Sequence, residues 1–453
     1  MKVSLLGKVV LGVSLIASSA LAAIEKADLK IGFIPLTDCA PIIIAKEKGF
    51  FSKYGLNVTV MKEGGGWAGI QQKVASGEYD YSHMLAPMPL ASTLGINGNV
   101  PMNALMSLDY NGNGITLENK VIEAMKAQGM DEAKRPVSAS FLKKAIEAQK
   151  KAGTYKPLEL GMTYPTGTHN YELRYWLAAG GVNPDTDVQL KVFPPPTMVS
   201  NMQAGNTHGY CVGEPWNERA VMANMGHTIV TKYEIWNNGP EKVLGSKADF
   251  VSSHPDTTKA VMKAVLEAQM WLDASWENRK EASKILAKKE YVNAPVDVLD
   301  NSMTGTFMYM NGKVEPNPVF NIFANNYAAY PYYSHAVWFM TQMVRWGQLT
   351  KPVDMKAVAE KVYRPDLFAA AAKEVGYAVP ASPWKVDGKG KANQFLDGKV
   401  FDPSKAVDYA YSFDIKTPAM KKEDLAKVNK PLSGVKAAVP AYNCPAGKPG
   451  CAN

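Results

Sequence analysis

The sequence predicts an α/β protein of two lobes that face each other across a cleft. Strand, loop and helix alternate from Leu29 to Pro89, and the same alternation restarts at Leu158 and runs to Asn217. Between these blocks the texture changes to a charged, helical stretch from Val121 to Lys151, with a break at Arg135-Pro136. Strands and helices repeated at this pace mean parallel β-α-β units. In open parallel sheets, ligands gather at the carboxyl ends of the strands, where the loops of both blocks lie.

In the first block, Leu29–Leu36 reads as a strand, Thr37–Pro41 as its loop, and Ile42–Phe51 as a helix ending near Gly55. Leu56–Met61 is the next strand, and it leads through the glycine-rich loop 63–69 to a helix over Ile70–Ser76. Tyr79–Leu85 is a third strand, and Met102–Leu108 and Gly114–Leu117 follow around Asp109–Asn113. In the second block the strands are Leu158–Thr163, Val188–Phe193 and Gly209–Gly213, with a helix over Thr197–Ala204 and the run Glu214-Pro215-Trp216-Asn217 after the last strand.

Gly161 to Gly181 carries the most chemistry. It reads as a strand end, a tight loop built on Pro165 and Gly167, and a helix that stops at Gly180-Gly181. Thr166, Thr168 and Asn170 are side chains suited to capping its start. A helix that opens there aims unpaired N–H groups and the positive end of its dipole above the strand, which makes a seat for an anion. His169 stands in that loop or first turn as a further donor, although a lone histidine at a helix start is more often a plain capping residue.

From Val243 the character of the first lobe returns, with a long helix over Thr257–Asn278 whose Val261, Val265, Ala268 and Trp271 recur at helical spacing. Residues 281 to 312 read as helical and polar. The aromatic run Phe320–Met343 reads as a helix packed on a lobe rather than a carbohydrate site. Beyond Leu349 the proline, glycine and lysine content points to an arm wrapping the body, with short helices such as Pro365–Glu374.

Lys2 and Lys8, the apolar run Val9–Ile16 and Ala20-Leu21-Ala22 form a secretory signal cut after Ala22, with no cysteine beside the cut to carry a lipid. No later apolar run reaches the ~20 residues of a membrane helix. A formal charge of +8 without a basic block suits anionic ligands and argues against nucleic acid. Cys444 and Cys451 flank a turn-rich segment that an oxidising compartment would allow to close, whereas Cys39 and Cys211 are far apart and read as unpaired. No CxxC, HExxH or spaced Cys/His quartet supports a metal centre.

Taken in order, Gly-Phe-Ile-Pro-Leu-Thr-Asp at 32–38, Gly-Thr-His at 167–169, Leu-Arg-Tyr-Trp-Leu-Ala-Ala-Gly-Gly at 173–181, Gly-Glu-Pro-Trp-Asn at 213–217, Pro-Glu-Lys-Val-Leu-Gly at 240–245 and Arg-Trp-Gly at 345–347 resemble the nitrate- and bicarbonate-binding periplasmic proteins of ABC importers. The resemblance spans roughly residues 29 to 415. It implies a two-lobed periplasmic binding protein of class II type with a C-terminal wrapping extension. Its parts would be a signal peptide at 1–22, lobe one at 23–140 and 243–349, lobe two at 141–242, and the extension at 350–453. By the same resemblance the ligand is nitrate, with nitrite as a second one, held by Trp67, Gly69, Asn113, His169 and Lys242. The partners are an ABC permease and its ATPase, and the receptor is a periplasmic monomer without cofactor or turnover.

The chemistry of those residues agrees. Nitrate is planar, singly charged and only accepts hydrogen bonds, so its site should consist of donors with a compensating cation. Asn113 stands where the nitrate binders are expected to carry glutamine, which shortens its reach and leaves room for a water. In the bicarbonate binders a carboxylate replaces the lysine and calcium assists, so Lys242 favours nitrate; a shift of one position would bring Glu241 or Glu214 into play. Receptors for organic sulfonates or pyrimidines share the fold, but they ask for a larger apolar cavity. An enzyme of this fold would draw on Cys39 with His83 or His169, a set with no evident base.

Overall fold

The alternation read from the sequence builds two mixed five-stranded sheets. In the computed structural model, which describes residues 24–430, 437–440 and 447–451, the strands are β1 (Asp28–Phe33), β2 (Asn57–Lys62), β3 (Tyr81–Leu85), β4 (Met102–Ser107), β5 (Tyr110–Asn111), β6 (Asn113–Glu118), β7 (Leu158–Met162), β8 (Val188–Val192), β9 (Gly209–Gly213), β10 (Gly226–Thr231) and β11 (Lys242–Lys247). The first sheet has the order β2-β1-β3-β11-β4 and the second β10-β6-β9-β7-β8. β1 lies parallel to β2 and β3, and β7 lies parallel to β8 and β9. β11 runs antiparallel in the first sheet, and β6 and β10 run antiparallel in the second. The central strands β3 and β9 are buried along their whole length, as helices on both faces require.

Several expectations are corrected. The second sheet takes in β6, so the chain first crosses at Gly112 rather than near residue 140. Gly112 adopts φ 84°, a left-handed turn that glycine alone adopts readily, and this bend sends Asn113 into the other sheet. The helix after β2 begins at Gly66, not Ile70, so Trp67 sits in its first turn. The stretch 121–151 is broken as expected, but over a wider gap: its helices are Asn119–Lys126 and Ser140–Lys151, and the first stops well before Pro136, just ahead of Gly129 at φ 88°. Residues 281–312 are not all helical: after Val296–Met303, Thr306–Met310 and Lys313–Pro316 form a hairpin, its alternating Phe307 and Tyr309 buried on one face.

The aromatic run packs as expected. In the helix Tyr333–Arg345, Ser334 to Arg345 are all buried. Its Trp338 lies 4.4 Å from Trp236 of the second block, and both indoles stack on Phe395 of the C-terminal arm. Further along the chain, the helix Pro365–Val375 buries Phe368 in the core of the first sheet. The arm therefore touches both lobes.

The signal segment at 1–22 and Cys444 lie outside the described residues. Cys451 is disulfide-bonded, while Cys39 and Cys211 are free and buried.

Candidate anion-binding site

The carboxyl ends of the parallel strands converge between the two sheets. After β1 comes Asp38, after β2 Trp67, after β7 His169, and β9 ends on Gly213. The antiparallel strands β6 and β11 start where their neighbours end, so they bring their first residues, Asn113 and Lys242, to the same place. Asp38, Trp67, Asn113, His169, Glu241 and Lys242 are each no more than 1% exposed. Cross-lobe contacts seal them: Thr37 N–H donates to Glu214 O at 2.8 Å, and the Trp216 indole donates to Pro35 O at 3.2 Å. With these contacts made, the cluster is shut off from solvent.

Lys242 is the centre of the cluster. Its Nζ lies 2.7 Å from Asp38 Oδ2 and 2.5 Å from Glu241 Oε1, and 5.6 Å from the Trp67 ring. Burial disfavours the ammonium, but Asp38 and Glu241 outweigh it and raise its pKa. Burial likewise opposes ionisation of Asp38 and Glu241; Lys242, with His83 at the first and Lys232 at the second, overcomes it and holds both carboxyls below their ordinary range. Glu241 Oε2 is 2.7 Å from the buried Lys232, whose Nζ also reaches Glu172 Oε1 at 2.8 Å. Glu172 Oε2 accepts from the Asn113 amide at 2.8 Å.

The helix Thr168–Ala179 sets His169 in its first turn. Thr166, Thr168 and Asn170 do not cap it: the N-cap is Gly167, without a side-chain bond. Those side chains are spent elsewhere, and Thr168 Oγ1 donates to Glu241 Oε1 at 2.6 Å. The anion at this helix start is thus the protein's own Glu241, which also lies 3.5 Å from His169 Nε2. His169 Nδ1 is 2.8 Å from the Thr163 hydroxyl. With that hydroxyl donating and a carboxylate beyond Nε2, the ring carries its hydrogen on Nε2. Burial keeps the ring neutral by lowering its pKa to about 3.

The donors Trp67 Nε1 and His169 Nε2 have no hydrogen-bond partner among the described residues, and neither have the acceptors Asn113 Oδ1, Asp109 Oδ2 and Asp38 Oδ1, the last facing His83 Nε2 at 2.9 Å. Lys242 keeps one ammonium hydrogen beyond the two that face Asp38 and Glu241. Unmade hydrogen bonds at buried groups are costly, so this cluster is built to be completed. Lys242 stands 5.6 Å from the Trp67 ring and joins His169 through Glu241, and Asn113 joins them through Glu172 and Lys232. Gly69 is half-buried in the helix beyond Trp67, and its close neighbour is Glu63, whose Oε1 lies 2.7 Å from where a Cβ would stand.

Sequence reasoning missed Asp38, Gly213, Glu172 and Lys232 as members of the cluster, and weighed Glu241 only as the alternative to Lys242 in a calcium-assisted site. A Cβ on Gly213 would lie 3.3 Å from both Asn113 Oδ1 and Asp38 Oδ2, so glycine keeps that corner open. Asp38 and Gly213 both belong to motifs quoted above, which was the available signal; nothing around Lys232 marks it. Asp109 also faces the cluster, accepting the Lys242 backbone N–H at 3.0 Å, and burial with Asp38 nearby raises its pKa well above the ordinary range.

A model of the NMT1-like family matches residues 22–287. The chain is 39% identical over 404 residues to the nitrate/nitrite binding protein NrtA of Nostoc sp., covering 87% of each. It is 32% identical over 409 residues to the bicarbonate-binding protein CmpA of Synechococcus elongatus, covering 87% of this chain and 88% of that one. The crystal structure of the periplasmic nitrate-binding protein NrtA from Synechocystis matches with a TM-score of 0.79 at 36% identity, over 87% of this chain and 100% of that one. The two sheets and their connections are thus those of a periplasmic binding protein, and the chain belongs to the NMT1-like family, among the relatives of the nitrate/nitrite-binding proteins.

Proposed function

We propose that this chain is a periplasmic receptor that binds nitrate, and nitrite as a second ligand, and delivers it to an ABC permease and its ATPase. The observation that carries the reading is Lys242, a buried ammonium with one hydrogen to spare, beside the unpartnered donors Trp67 Nε1 and His169 Nε2. An acceptor-only anion completes all three. Asn113 and the N–H of Gly69 complete the proposed set of ligands. Relatives named as nitrate/nitrite binding proteins support the same reading.

Against the bicarbonate alternative, the Lys242 ammonium already fills the space between Asp38 and Glu241 that a calcium ion would need, and it repels a second cation. Against an enzyme, burial with Asp38 alongside pushes the Cys39 thiol well above its ordinary pKa, which leaves no thiolate to attack. The signal read at residues 1–22 supports a periplasmic location, and a monomer is the form proposed for it.

Replacing Lys242 by glutamine keeps much of its shape and removes its charge. Calorimetric titration of Lys242→Gln with nitrate is expected to show at least a hundredfold loss of affinity, about 3 kcal/mol. An unchanged affinity in a folded variant would remove Lys242 from the site.

A further inference from the structure

We propose that the receptor takes up its anion together with one proton, carried on the Glu172 carboxyl. The inference rests on the nitrate reading and deepens it. Its starting point is the orientation of Asn113. The amide now turns its NH₂ group to Glu172 Oε2 at 2.8 Å and its unpartnered Oδ1 toward Gly213 and Asp38. The side facing the cluster is therefore an acceptor, which is the wrong polarity for an ion that only accepts.

For Asn113 to serve nitrate, its amide must turn over and present NH₂ to the ion. Oδ1 then faces Glu172 Oε2. Two acceptors in contact in a buried site repel, unless the carboxyl carries a hydrogen and donates it. A proton from solvent on Glu172 Oε2 supplies that hydrogen bond, and no other bond is made or broken.

Charge leads to the same place. The sealed cluster holds two ammoniums, Lys232 and Lys242, against four carboxyls, Asp38, Asp109, Glu172 and Glu241. Even with Asp109 set aside, because burial and Asp38 raise its pKa well above the ordinary range, and with His83 and His169 kept neutral by burial, the balance is unfavourable. Three carboxylates then face two ammoniums before the anion arrives, and a further buried negative charge without compensation is expensive.

Glu172 is the carboxyl least able to stay ionised. Asp38 and Glu241 each contact Lys242, whereas Glu172 shares only Lys232, and shares it with Glu241. The groups that face it are Asn113 from β6, the Cys211 thiol from β9 at 3.8 Å, Lys232 from the helix Lys232–Ile235, and Glu241 from the segment before β11; His169 stands one turn earlier on its own helix. Burial, aided by Glu241, raises its pKa to about 7. A neighbouring anion moves it further up, so the ion and the proton favour each other.

The test is calorimetric titration of the mature chain with nitrate, in phosphate and in Tris at the same pH, repeated from pH 5.5 to 8.5. The heat is expected to differ between the buffers at pH 8, giving uptake that approaches one proton per nitrate, and to converge at pH 5.5. Affinity is expected to fall by up to about tenfold per pH unit on the alkaline side. Glu172→Gln, whose amide donates permanently, is expected to bind nitrate with buffer-independent heat and no such slope. Buffer-independent heat in the wild type at pH 8 would overturn the proposal without recourse to any variant, as would proton uptake that persists in Glu172→Gln. Absence of nitrate heat at every pH is a separate outcome: it overturns the nitrate reading itself.

Discussion

In the proposed site, Trp67 carries a donor whose hydrogen bond the empty protein leaves unmade. Its ring centroid lies 5.3 Å from that of His83 with the planes tilted by 59°, while Nε1–H has no partner among the described residues. Trp67→Phe removes the unpaired donor and keeps most of the packing. We expect nitrate affinity to fall about tenfold, with the unfolding temperature of the ligand-free protein falling by no more than a few degrees. Titration and thermal scans together separate these effects. A large drop in stability with intact affinity would make Trp67 plain core. The acid limit of stability is also set by single residues. Asp38 and Glu241 have folded-state pKa values below their unfolded ones, so their stabilisation is present above about pH 4.5 and is lost as the pH falls through the lowered values. Glu172 has the opposite sign, and its cost grows as the pH rises from about 4.5 toward 7. Acid titration followed by circular dichroism should therefore show Glu241→Gln losing less stability than the wild type between neutral pH and pH 3.

At the scale of elements, the helix Thr168–Ala179 does most of the placing. It sets His169 and Thr168 at its first turn and Glu172 one turn later, all toward Glu241 and Lys232. Its far end is fixed by close approach: a Cβ on Gly180 would stand 2.4 Å from the Ala139 carbonyl carbon and 2.5 Å from the Ser140 nitrogen. Backbone cannot yield as a side chain can, so Gly180→Ala is expected to cost about 1–3 kcal/mol in denaturant unfolding. A neutral result would mean that the two helices can separate there. This helix was also the most legible part of the chain. Its bounds and its histidine follow from Pro165, Gly167, Gly180 and Gly181. Its capping was misread, because threonine signals a cap equally well whether its hydroxyl turns back to the helix or, as Thr168 does, out to a carboxylate on another segment.

Across the whole molecule, the lobes are closed on the cluster and the C-terminal arm is bound to both. The Tyr175 hydroxyl donates to Asp397 at 2.8 Å, and Phe395 stacks on Trp236 with ring centroids 5.0 Å apart. Phe395→Ala is expected to destabilise the protein by about 3–5 kcal/mol, read from denaturant unfolding; a loss below 1 kcal/mol would show that the arm merely rests on the body. The two-lobed plan was visible from the repeated β-α-β pattern, but the crossing at Gly112 was not. β6 is antiparallel and belongs to the sheet of strands that come much later, and local periodicity carries no information about such a partner. Nor could pattern alone find Lys232 or Glu172, whose roles exist only once long-range packing buries them together.

The central claim is that a buried ammonium and a ring of donors await an acceptor-only anion. Calorimetric titration of residues 23–453 with nitrate, nitrite and bicarbonate, the last with and without calcium, tests it directly. Nitrate binding at micromolar Kd or tighter without added metal, about −8 kcal/mol or better, is the expected result. Silence toward nitrate, with bicarbonate heat that appears only when calcium is present, would contradict it.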